Sequence, residues 1–102
     1  MKKSFFSFLF ASLESKHEIA IMYFGRVSDS LVMTSERLVI PGGIYTLEQL
    51  LNKLRKRGER WAYELDDSRV ICTVNGKAAA LPDLVEVGVE IEIHSNKSLF
   101  EM

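Results

Sequence analysis

The chain has 102 residues, of which 47% are hydrophobic and 26% charged, with a formal net charge of −1. This is enough chain for one small domain with an ordinary globular composition. It excludes a strongly charged protein drawn to nucleic acid or to an acidic membrane by its overall field.

Residues 1–17, MKKSFFSFLFASLESKH, form an extension that precedes the domain. Lys2 and Lys3 stand before an apolar run from Phe5 to Leu13, much as in a short secretory signal. The run is too short to cross a bilayer as a helix. No small-x-small cleavage pattern precedes Glu14. Phe5, Phe6, Leu9, Phe10 and Leu13 also fall on one face of a helix. A helix packed on the domain, a targeting segment and an over-extended start all fit this stretch.

The domain spans residues 18–94. Residues 18–24, EIAIMYF, alternate as a strand with apolar side chains on both faces. Ile19, Ile21 and Tyr23 point one way; Ala20, Met22 and Phe24 point the other. Both faces of this strand therefore need cover, as in a central strand. A helical turn is expected within residues 26–34. Residues 36–40, ERLVI, form a second strand that Pro41-Gly42-Gly43 stops.

Thr46 followed by Gln49 makes a capping box, with Tyr45 and Leu50 at the positions of a hydrophobic staple. Leu47, Leu50, Leu51 and Leu54 give one apolar stripe, predicting a helix over residues 47–57. Lys53, Arg55, Lys56 and Arg57 suit its C-terminal end, and Gly58 is expected to stop it. A short second helix is predicted over residues 59–65, anchored by Trp61, Ala62 and Leu65. Trp61 is expected to pack on the end of the main helix.

A third strand covers residues 69–74 and leads into the hairpin signal Asn75-Gly76. A short strand over residues 77–80 follows. Leu81-Pro82-Asp83 and Glu86-Val87-Gly88 make turns. In the last strand, residues 89–94, Val89, Ile91 and Ile93 face inward and Glu90, Glu92 and His94 outward. A tail, residues 95–102, ends the sequence. Cys72, the one cysteine, has no partner for an internal disulfide and is expected to be a buried small hydrophobe. Nothing requires an oxidising compartment, so a cytoplasmic protein is expected.

The order of elements predicts an α+β domain, a sheet with one main helix on one face. Candidate chemistry is sparse. His94 and His17 lack a second ligand at metal spacing. Asp66-Asp67 suit a turn better than a metal site. No nucleophile triad, phosphate loop or carboxylate pair stands out. No catalytic residue, metal or cofactor is expected. The basic run of Lys53, Arg55, Lys56, Arg57 and Arg60 is either a solvated helix end or a docking patch for an acidic partner.

With Arg57-Gly58-Glu59-Arg60-Trp61-Ala62 at its centre, the pattern resembles the small sulfur-carrier subunit of molybdopterin synthase, the MoaD/ThiS-like family. The likeness runs from about Ile19 to Ser98. It takes in Tyr23-Phe24, Pro41-Gly42 before the helix, Val74-Asn75 before the hairpin, and Gly88, Glu90 and Ile91 at the last strand. The resemblance implies a β-grasp, ubiquitin-like mixed sheet on one main helix, and a carrier or partner subunit rather than an enzyme. It implies the large synthase subunit as partner, met through the sheet face and the tail.

Members of that family end in Gly-Gly, whose carboxylate an ATP-using activating enzyme converts to a thiocarboxylate. Leu99 and Phe100 take those two positions, and no glycine follows Gly88 in the sequence. Val87 and Val89 flank Gly88 where the family usually has acidic residues. The expected result is a homologue that cannot carry sulfur and does not use an activating enzyme productively. A diverged ubiquitin-like interaction module without carrier chemistry is the alternative. The candidate partner-binding residues are Met22, Phe24, Lys97, Ser98, Leu99 and Phe100. No nucleic-acid or membrane partner is expected.

Overall fold

The computed structural model describes residues 17–96. The extension up to residue 16 and the tail from residue 97 lie outside the described residues.

The elements are β1 Glu18–Phe24, α1 Arg26–Leu31, β2 Ser35–Val39, α2 Leu47–Arg55, α3 Glu59–Glu64, β3 Val70–Val74, β4 Lys77–Ala78 and β5 Glu90–Ser95. One five-stranded sheet results, in the order β2-β1-β5-β3-β4. β1 pairs antiparallel with β2 and parallel with β5. β5 pairs antiparallel with β3, which pairs antiparallel with β4. The first and last strands thus lie side by side at the centre.

Alternation along each strand sorts the side chains. Ile19, Ile21 and Tyr23 of β1, Ile91 and Ile93 of β5, and Val70 and Cys72 of β3 are buried on the inner face. Leu47, Leu50, Leu51 and Leu54 of α2 close that core, joined by Val27 and Leu31 of α1 and by Leu65. Burying such side chains is worth roughly 1.5–3 kcal/mol each, so this one cluster dominates the fold's stability. Cys72 sits inside it, 6% exposed. Burial pushes its thiol up to about 11. Native protein should therefore resist alkylation at pH 8, and react only once denaturant opens the core. Iodoacetamide labelling followed by mass measurement checks this; rapid modification of folded protein would contradict it.

The capping box at α2 forms with both bonds. Gln49 N–H donates to Thr46 Oγ1 at 3.2 Å, and Thr46 N–H donates to Gln49 Oε1 at 2.9 Å. The Asn75-Gly76 turn also forms, with φ of 50° and 84°. Both residues in the left-handed region match a type I′ hairpin.

Two expectations need correction. Gly58 does not stop α2. The helix ends at Arg55, and Gly58, with φ 154° and ψ 175°, is the residue before α3. That conformation is open almost only to glycine, so Gly58 serves the abrupt turn between the two helices. Ala62 is exposed and anchors nothing, whereas Glu64 is 4% exposed. Its carboxylate accepts from Ser30 Oγ at 2.8 Å and lies 3.5 Å from Arg26 Nε, which ties α3 to α1. On the outer face of β1 Phe24 is 39% exposed and no described element lies over it; the extension expected as one possible cover lies outside the described residues.

The basic run adds contacts that its sequence did not show. Arg55 donates to the Leu65 carbonyl and pairs with Asp67. Arg57 sends two 2.8 Å bonds to the Glu36 carboxylate of β2 and lies 4.5 Å over the Trp61 ring. Arg60 donates to the Ser30 carbonyl at 3.2 Å. These arginines join elements of the domain while Arg57 and Arg60, like Lys53 and Lys56, stay exposed, in keeping with a solvated helix end.

Tyr23 completes the Arg57 cluster. Its hydroxyl donates to Glu36 at 2.6 Å, and its ring meets Trp61 edge-on at 5.9 Å. Burial and the Glu36 bond push the hydroxyl well up, so it stays a donor. Burial alone would raise the Glu36 carboxyl, but the bonds from Arg57 and Tyr23 hold it below the usual range. Trp61 therefore packs against Tyr23 and Arg57, at the end of the main helix as expected.

Candidate functional site

Three outward side chains meet at one end of the sheet. The register sets Phe24 of β1 beside His94 of β5, and His94 opposite Ile71 of β3. Neighbouring strands place paired residues on the same face. The Phe24 and His94 rings stack with centroids 4.7 Å apart and planes 10° from parallel. His94 Nε2 lies 3.0 Å from Glu92 Oε1, which fixes the ring from its own strand. Ile71 is 49% exposed. Met22 lies one step down the same face, half-buried beside Glu92.

The chain turns away at this end. Gly25, at φ 72°, carries β1 into α1. A Cβ there would stand 3.4 Å from Ser95 Oγ as well as being strained. Ser95 Oγ accepts the Val27 N–H at 2.9 Å, and Asn96 N–H donates to the Arg69 carbonyl at 2.8 Å. The last described residues of the chain are thus held from both sides. An open groove of about 760 Å³ lies beside them, lined by Phe24, Gly25, Arg26, Asp29, Ser30, His94 and Ser95.

Of the sequence-predicted binding residues, Met22 and Phe24 share this face. Lys97, Ser98, Leu99 and Phe100 lie outside the described residues. Ile71 and Ser95 join the site without having been singled out. The signal for Ile71 was present, since Val70, Cys72 and Val74 face inward and alternation puts Ile71 outside. Ser95 had none, because its partner Val27 is 68 residues away.

Among the described residues, no three His, Cys, Asp or Glu side chains gather as a metal site. Asp66 instead accepts from the Ser68 hydroxyl and N–H, the turn expected of it. No described helix is long and apolar enough to cross a membrane. The arrangement is an apolar and aromatic patch beside a groove and a fixed chain exit. Such a site has the chemistry to meet a protein surface.

No protein-family model matches the chain, and no curated protein sequence matches it. Solved structures do. SAMP1 from Haloferax volcanii superposes with a TM-score of 0.65 at 20% identity, over 74% of this chain and 91% of that one. A candidate molybdopterin converting factor, subunit 1, from Pyrococcus furiosus gives 0.64 at 17%, over 76% and 95%. The HVO 2177 protein of Haloferax volcanii gives 0.64 at 15%, over 76% and 81%. The mixed five-stranded sheet with its helices on one face, and these likenesses, make the domain a β-grasp, ubiquitin-like fold.

Proposed function

We propose that this chain is a small-subunit homologue of the molybdopterin synthase kind, active in the cytoplasm through binding rather than catalysis. It docks on a large synthase subunit with the outer sheet face, through Met22, Phe24 and Ile71. Residues 97–100 then enter the partner. One observation carries this reading: the chain exit at Ser95 and Asn96 is pinned beside the exposed Phe24–His94 stack. The structural likeness to a candidate converting-factor subunit supports it. Leu99 and Phe100 at the diglycine positions mean that it binds without carrying sulfur. They also favour a second reading, a diverged interaction module with a different partner.

Calorimetric titration of the full chain against the source cell's large subunit tests the proposal. A central aromatic anchor contributes about 2 kcal/mol or more, so Phe24→Asp should weaken binding roughly thirtyfold or beyond. Ile71→Asp should do the same to a lesser degree. Equal binding by Phe24→Asp would remove the sheet face from the interface. No binding by the wild-type chain would favour the second reading.

A further inference from the structure

One side of the sheet ends in β2, which is paired on one flank only, with β1. The two bonds that bracket this ladder set its parity. Tyr23 N–H donates to the Thr34 carbonyl at 2.9 Å, and Ile40 N–H donates to the His17 carbonyl at 2.7 Å. Bonded pairs recur at every second residue of an antiparallel ladder, so Thr34, Glu36, Leu38 and Ile40 direct their backbone groups to β1. Ser35, Arg37 and Val39 therefore direct their N–H and C=O groups away from the sheet. Among the described residues, none of these groups has a hydrogen-bond partner. Such a row is a template for one more strand. No proline interrupts the five residues of β2, whereas the opposite edge, β4, has only two residues.

The side chains along the edge select what can join it. Ser35, Arg37 and Val39 lie on the outer face, and Glu36 and Leu38 on the inner, as their partners on β1 do. Val39 is exposed and Leu38 half-buried. The Arg37 side chain is 76% exposed, and its one bond among the described residues runs from Nη1 to Glu18 at 3.3 Å. Nε and Nη2 are left to take a carboxylate. A second copy of this chain fits badly. The antiparallel self-pairing that uses all three residues sets Arg37 opposite Arg37, like charge against like on one face. Shifted one way, it puts Pro41, which has no N–H, opposite Ser35. Shifted the other way, it puts Met33, whose N–H already bonds the Ser28 carbonyl, opposite Val39.

We propose that the free edge of β2 binds an extended peptide by strand addition, with apolar residues beside Val39 and Leu38 and a carboxylate beside Arg37. Main-chain bonds to Ser35, Arg37 and Val39 hold the peptide, and the neighbouring side chains select it. This site is the edge of the sheet, not the Phe24–His94 end of its outer face, and it stands whichever reading of the partner is right.

The probe is the end-blocked peptide Thr-Val-Val-Asp-Thr-Thr, titrated into the isotope-labelled full chain. Laid antiparallel, its valines meet Val39 and Leu38 and its aspartate meets Arg37. The amide signals of Ser35, Arg37 and Val39 should shift most and exchange with solvent more slowly, while those of Phe24 and Ile71 stay in place. N-methylation of the aspartate, whose N–H faces the edge, should weaken binding about tenfold or more. N-methylation of the second valine, whose N–H points away, should change it by no more than about twofold. Arg37→Glu should reject this peptide and accept one with lysine in place of the aspartate. No shift of the β2 amides at millimolar peptide, equal loss from the two N-methyl groups, or shifts confined to Phe24 and Ile71 would overturn the proposal. So would slowed exchange of the β2 amides without peptide that deepens with protein concentration, since a second copy would then hold the edge. The partner titration reads a different surface, so either proposal can fail while the other stands.

Discussion

Arg57→Ala should lower the thermal midpoint by about 10 °C, corresponding to a loss of about 2 kcal/mol in a domain of this size. The substitution removes two charge-assisted bonds to Glu36 and the contact over Trp61. It leaves the largely sheltered Glu36 carboxylate with the Tyr23 hydroxyl as a hydrogen-bond donor. Leaving such a group underpaired is the costly part. Arg57 is itself partly exposed, which keeps the loss below that of a buried pair. Arg57→Lys should recover less than half, because an ammonium has neither the planar fork nor the stacking face.

The pH dependence gives an independent check. Arg57 and Tyr23 depress the folded-state pKa of Glu36. A depressed carboxyl contributes stability above its unfolded pKa, about 4.3, and loses it as pH falls through the folded value. The gap between wild type and Arg57→Ala should therefore narrow steadily below about pH 4. Denaturant melts at several pH values measure it. An unchanged midpoint at neutral pH, or a gap constant down to strong acid, would show that the cluster is ornament to the fold.

The run Arg57-Gly58-Glu59-Arg60-Trp61-Ala62 drew attention in the sequence, and the structure gives it a physical task. Arg57 and Trp61 lock the α2–α3 corner to strands β1 and β2. That task could not be read from the run itself, since Glu36 lies 21 residues earlier and only the folded sheet brings it near. Local signals were legible where the partners are local. Thr46 and Gln49 are three residues apart, and both bonds of their box form. The strand alternation was legible because it repeats every second residue. Glu64 illustrates the limit: a glutamate in a short polar helix gives no sign of burial until Arg26 and Ser30 arrive from α1. Val32 is another case. It caps α1 at φ 53°, a conformation its β-branched side chain disfavours, and no residue type there announced it. The site was half legible, through Phe24 and Met22; its pinned chain exit depends on bonds between residues far apart in sequence.

No thiocarboxylate should form on this chain. Leu99 and Phe100, four and five places beyond Ser95, take the positions of the resembled family's diglycine. Conversion requires an extended terminus to thread a narrow passage to the activating enzyme's nucleotide, where a Cβ has no room and glycine has none to place. Leu and Phe add whole branched and aromatic side chains at those positions. In the resembled family the reacting group is the chain's end and not the sheet, so the β-grasp fold alone would not supply the reaction. The proposed binding role does not depend on those two residues alone, since the Phe24–His94 stack and the groove beside it lie within the folded domain. The most direct measurement is the intact mass of the full chain after incubation with an activating enzyme, ATP and a sulfur donor, beside a diglycine-ending carrier as positive control. The account predicts sulfur on the control and an unchanged mass for this chain; a sulfur-for-oxygen gain on this chain would contradict it.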